Sequence, residues 1–155
     1  MQIEQNAILV PLTVGVSAIV ITVGIHALAL AAIVHWVRRE RRLGRAGPSF
    51  LNNIAIITVG ILLALGAHLI EMALWASIFE ACGEFTAFAA ALYHSAVNYT
   101  TLGYGDIVMS GRWRFLAPLE ATDGMLMFGV STAMIFTIIQ RLVQTRFPDL
   151  RDWAA

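Results

Sequence analysis

The sequence predicts an all-α membrane protein with three helices that cross the bilayer and, between the second and third, a helical segment too short to cross. Three observations predict it. Of the 155 residues, 59% are hydrophobic and 13% charged, with a mean hydropathy of +0.76, a balance rare among soluble domains of this length. Long apolar stretches occur early, in the middle and near the end of the chain, and a further apolar stretch of about 15 residues falls short of a membrane span. All ten basic residues are arginine, and eight of them gather in two places, Arg38, Arg39, Arg41, Arg42 and Arg45, then Arg141, Arg146 and Arg151. The formal net charge is zero, so overall charge argues neither for nor against a nucleic-acid partner, and none is expected. A lone cysteine, Cys82, excludes an intrachain disulfide and a cysteine-built metal site. No enzymatic activity is expected.

The first span is the stretch Ala7 to Val37, which contains no Asp, Glu, Lys or Arg. About 30 helical residues reach about 45 Å, more than the roughly 30 Å hydrocarbon core. It has no basic n-region, its first charge is Glu4 and its apolar run is too long for a cleaved signal, so it is expected to stay in the mature protein. In the linker Arg38 to Ser49, Gly44, Gly47 and Pro48 stop the helix and Ser49 is placed to cap the next. The arginine run puts this linker in the cytoplasm and the N-terminus outside. The same Arg38, Arg39, Arg41, Arg42 and Arg45 are candidates to hold anionic lipid headgroups.

The second span runs from about Phe50 to Phe79. His68 and Glu71 lie three apart on one face of it, and ionisable groups at this depth are costly unless they face protein or water, so both are expected to face the bundle near its outer end. Glu80, Gly83 and Glu84 mark an external turn, and Phe85 to Tyr99 is the short apolar stretch. A polar return, Asp106 to Arg114, leads to the last span, with Pro118 in its first turns, where proline is tolerated, and Pro148 at its end. Arg141 and Arg146 place the C-terminus inside, as three crossings from an outside start require. Residues 1–48 thus form an N-terminal span with its basic linker, 49–147 the main membrane domain and 148–155 a short cytoplasmic tail.

Between the short stretch and the polar return lies Thr100-Thr101-Leu102-Gly103-Tyr104-Gly105-Asp106. Its two glycines alternate with larger residues, so successive residues can take φ of opposite sign at little steric cost and point their carbonyls the same way. Such a row of carbonyls replaces the hydration shell of a potassium ion. Irregular backbone at membrane depth is tolerated only where it is buried in protein or lines a watery path, and the carbonyl end of a helix aimed there favours a cation.

The stretch TTLGYGD resembles the selectivity filter of the potassium-channel pore-domain family, T-V-G-Y-G followed by Asp, and the resemblance extends back through Ala91-Leu92-Tyr93-His94-Ser95. It implies that 49–147 holds an outer helix, a pore helix, the filter and an inner helix, and that four copies form a homotetramer around the ion path. It also implies that the carbonyls of Thr101, Leu102, Gly103 and Tyr104, with the Thr101 hydroxyl, form stacked K+ sites, supported by Thr100, Gly105 and Asp106. Tyr104 would pack behind the loop and Asp106 would sit at the outer mouth. No cofactor is expected beyond the permeant ion, and the bacterial inner or plasma membrane is the expected location.

Departures from the family pattern are specific. Leu102 stands where valine is usual, Tyr93 and His94 replace paired tryptophans, and Val97 takes the place of a glutamate that braces the filter aspartate in well-known two-helix bacterial channels. His68, Glu71 and Glu120 are candidates for a substitute polar contact behind the filter. Gly129, and after it Gly124, are candidate hinges in the last helix. No helix carries arginine at every third position and seven residues follow Pro148, so neither a voltage sensor nor a cytoplasmic ligand domain is expected. Two other readings compete. One is a cation channel of this architecture without potassium selectivity. The other is a haem-binding redox subunit using His26, His35 or His68, against which stand the lack of two histidines four apart on one helix and the unexplained glycine loop.

Overall fold

The computed structural model describes residues 2–47 and 49–147, with side chains from Ile8 onward. Four helices follow one another: α1 (Gln2–Arg42), α2 (Phe50–Ala81), α3 (Phe88–Tyr99) and α4 (Leu116–Arg146), and no strand occurs among the described residues. With 41, 32 and 31 residues, α1, α2 and α4 extend about 60, 48 and 46 Å, and each holds a window long and apolar enough to cross a membrane. The 12 residues of α3 extend about 18 Å and cannot span. The chain is an all-α protein with three spans and one short helix.

Boundaries differ from the sequence reading where side chains outweigh composition. The arginine run is helical as far as Arg42, because arginine and glutamate are good helix formers and basic residues in a last turn suit the negative helix end. The helix stops at Gly44, whose φ of +67° is the left-handed conformation that glycine adopts without penalty. Ser49 is a marginal cap, with its Oγ 3.5 Å from the Asn52 amide. Asn53 holds this turn instead, its Oδ1 accepting from the Gly47 amide at 2.8 Å and its Nδ2 donating to the Gly47 carbonyl at 3.2 Å. Helix α3 starts at Phe88 rather than Phe85, since the Phe85 ring packs against Phe79 and His94 and Ala87 is extended at the N-cap. Pro48, Pro148 and the expected tail 148–155 lie outside the described residues.

Two compact units cut across the helices. One comprises the residues up to His26 with His68–Phe128. Its core is Trp75, Phe79, Tyr99 and Leu116, fully buried, with Met72, Met109, Trp113 and Met127 around them. Gly15 on α1 lies so near α4 that an added Cβ would come within 2.4 Å of Leu119 Cδ1, so the early part of α1 belongs to this core. The other unit comprises Ala27–Ala67 with the residues from Gly129, and it packs Ile33 of α1, Ile56 and Ala64 of α2, and Ile138 and Leu142 of α4.

Candidate ion-conduction site

The C-terminal turn of α3 organises the loop that follows it. The Thr100 amide and hydroxyl both reach the Ala96 carbonyl, at 3.2 and 2.6 Å, and close the helix. The Thr101 amide then donates to the Asn98 carbonyl at 2.8 Å, and the amides of Leu102 and Gly103 both donate to the Val97 carbonyl, at 2.9 and 3.2 Å. Peptide bonds here are trans, so each N–H points opposite to the carbonyl of the residue before it. The carbonyls of Thr100, Thr101 and Leu102 therefore all point away from α3.

The φ angles of Thr101, Gly103 and Gly105 are +58°, +57° and +72°, while Leu102 and Tyr104 keep negative φ. The sign of φ alternates through five consecutive residues. Two of the three positive positions are glycines, where the conformation is free of cost. At Thr101 it costs about 1–2 kcal/mol, which the converging amide bonds to α3 must hold in place. Leu102 and Tyr104 are 56% and 66% exposed, so within a single chain neither side chain is packed.

Asp106 accepts a hydrogen bond from the Tyr93 hydroxyl at 2.8 Å, and this bond pushes the phenol of Tyr93 above its ordinary range. Glu84 accepts from the Ser110 amide at 2.7 Å and its hydroxyl at 2.5 Å, tying the turn after α2 to the return segment. The Cys82 thiol in that turn is pushed up by burial and by the nearby Glu84 carboxylate.

A chain of buried polar side chains stands behind α3. The Tyr99 hydroxyl donates to Glu71 Oε2 and lies 3.0 Å from His68 Nδ1. Glu71 Oε1 is 2.9 Å from His26 Nδ1 on α1. Ser95 Oγ lies 2.8 Å from the Met72 carbonyl and 2.5 Å from Glu120 Oε1. Asp123 Oδ2 accepts from the Thr22 hydroxyl at 2.7 Å and from Trp75 Nε1 at 3.0 Å. Glu71, Glu120 and Asp123 have no exposed surface at all. Burying a carboxylate is costly unless donors surround it; these bonds tie α3 to α2 and α4, and α1 to α2 and α4, while Glu120 Oε2 and Asp123 Oδ1 stay buried without a hydrogen-bond partner among the described residues.

Of the residues singled out from sequence, His68 and Glu71 meet at Tyr99, one residue before the loop, and Glu120 meets Ser95 in the middle of α3. Gly124 is packed so closely that an added Cβ would lie 2.1 Å from the Tyr99 carbonyl oxygen, whereas Gly129 has nothing within 4 Å. Sequence reasoning missed Thr22, Trp75, Tyr99 and Asp123. Asp123 carried a usable signal, because an acidic residue within an apolar span marks a site by default. In the other unit, Val34, Val37, Met134 and Ile138 line a cavity of about 170 Å³ whose polar wall is Arg38, Arg41 and Arg141.

No curated protein and no solved structure matches the chain. Residues 67–141, which run from the second half of α2 through α3 and the loop into the last turns of α4, match the protein family described as Ion channel, and with the three candidate spans this match supports an integral-membrane ion channel.

Proposed function

We propose that this protein is the subunit of a potassium-selective channel, in which four copies of the loop Thr101–Gly105 close around a common axis and their carbonyls replace the hydration shell of K+. The observation that carries this reading is the loop backbone. Its φ signs alternate, and the amides of Thr101, Leu102 and Gly103 turn back onto α3, which leaves the carbonyls of Thr100, Thr101 and Leu102 aimed away from α3. One chain cannot encircle an ion, and the unpacked Leu102 and Tyr104 side chains are what neighbouring copies would cover. Residues 49–147 act as the pore domain, Thr100 and Gly105 support the loop, Asp106 held by Tyr93 draws cations to the outer mouth, and Gly129 is the bending point of α4. The N-terminus lies outside and the C-terminus inside, in a bacterial plasma membrane, with Arg38, Arg39, Arg41, Arg42 and Arg45 against anionic headgroups.

Flux from reconstituted vesicles tests this. With potassium as the driving cation, flux is expected and barium blocks it, whereas sodium drives little. Equal flux with both cations would make the protein a non-selective channel, and no flux with either would remove the reading.

A further inference from the structure

In the sequence no two histidines stand four apart on one helix. Folding pairs two from different helices. His26 of α1 and His68 and Glu71 of α2 come together with their ligand atoms all within 4.8 Å of one another. His26 Nδ1 is 2.9 Å from Glu71 Oε1, His68 Nδ1 is 3.4 Å from Glu71 Oε2, and the two imidazole rings lie 5.1 Å apart between centroids. All three side chains are buried, at 2%, 3% and 0% exposure.

We infer that His26, His68 and Glu71 form a binding site for a transition-metal dication of the zinc type. Two imidazoles and one carboxylate are a zinc donor set, and calcium and magnesium prefer oxygen ligands throughout. Ligands about 2.0–2.1 Å from a tetrahedral ion stand about 3.3–3.4 Å from one another, so the His68–Glu71 pair at 3.4 Å already has that spacing and the His26–Glu71 pair at 2.9 Å needs to open by about 0.4 Å. A dication also neutralises the Glu71 carboxylate in an interior where an uncompensated charge is expensive. The Tyr99 hydroxyl donates to Glu71 and so orients it, as a positioning residue beside the ligand set. Because His26 is supplied by α1, the ion ties α1 to α2, whose Glu71 accepts from Tyr99 next to the proposed filter. The site is independent of which ion the loop conducts.

The test is metal content, read without any conduction assay. Full-length protein is produced in zinc-supplemented medium, freed of its affinity tag, passed over a chelating resin and analysed for elements. About one zinc per chain is expected, and at least about tenfold less in His26→Gln and in Glu71→Gln. Tyr99→Phe weakens retention about 10–100-fold in chelator competition, while His35→Gln, which changes an exposed histidine, keeps the full content. Protein grown with cobalt should show the intense visible bands of tetrahedral Co(II), lost in His26→Gln. If Glu71→Gln does not fold, His26→Gln carries the comparison. Wild-type protein with no more zinc than His26→Gln, or cobalt protein without tetrahedral bands, would show a hydrogen-bonded cluster only and overturn the inference.

Discussion

The two units of this chain use buried polarity in opposite ways. The unit of residues up to His26 with His68–Phe128 buries His26, His68, Glu71, Ser95, Glu120 and Asp123, and each is bonded to a side chain from a different helix. In the unit of Ala27–Ala67 with the residues from Gly129, the core contacts are aliphatic, and the one buried carboxylate among its described residues, Glu40, faces Arg45 at 3.7 Å near the end of α1. In lipid, apolar packing alone gives helices little preference for one register, because acyl chains are as apolar as leucine. Directional bonds supply that preference. They concentrate around α3, where a loop with alternating φ has to be held in one shape, so the unit with the costlier interior is the one that specifies geometry.

Substitutions can break or sharpen this contrast. The largest effect is expected at Gly124. Gly124→Ala places a Cβ against the Tyr99 carbonyl, which cannot move without disturbing the end of α3, and overpacking of this kind costs about 1–3 kcal/mol or more. Gly129→Ala, in open space five residues on, should gain up to about 1 kcal/mol of helix stability. Thermal midpoints that shift alike in the two variants would remove the distinction. Next comes Asp123→Leu, which leaves the Trp75 N–H and the Thr22 hydroxyl without their shared acceptor and should cost about 1–3 kcal/mol in unfolding measurements. Ile56→Val in the aliphatic unit should cost less, about 0.5–1.5 kcal/mol. A larger loss at Ile56 than at Asp123 would mean that packing, not bonding, dominates both units. The smallest effect on stability is expected at Tyr93→Phe, since its bond to Asp106 is exposed; it should appear as reduced potassium conductance with an unchanged thermal midpoint.

Much of the fold was legible because each span is a one-dimensional feature. Length and hydropathy find α1, α2 and α4, and the glycine spacing marks the loop. The left-handed Thr101 was not legible, because its conformation comes from amide bonds to Asn98 and Val97 rather than from its own preference. Nor were the contacts behind α3. His68 and Glu71 were visible as one face of α2, but their partners Tyr99 and His26 lie 31 and 45 residues away from His68 and Glu71 respectively, and only the register between helices brings them together. A search for histidines four apart within one helix misses His26 and His68 for the same reason. Asp123 needed no structure to be noticed; its location inside an apolar span was sufficient.

The most direct measurement is the reversal potential of the purified protein in a planar bilayer, with potassium on one side and the same concentration of sodium on the other. Each tenfold preference between monovalent ions corresponds to about 59 mV. Carbonyls of Thr101 to Tyr104 acting as the hydration shell of K+ predict a reversal more than about 59 mV from zero, in the direction set by potassium. A reversal potential at zero, with current flowing, would contradict a potassium filter at this loop.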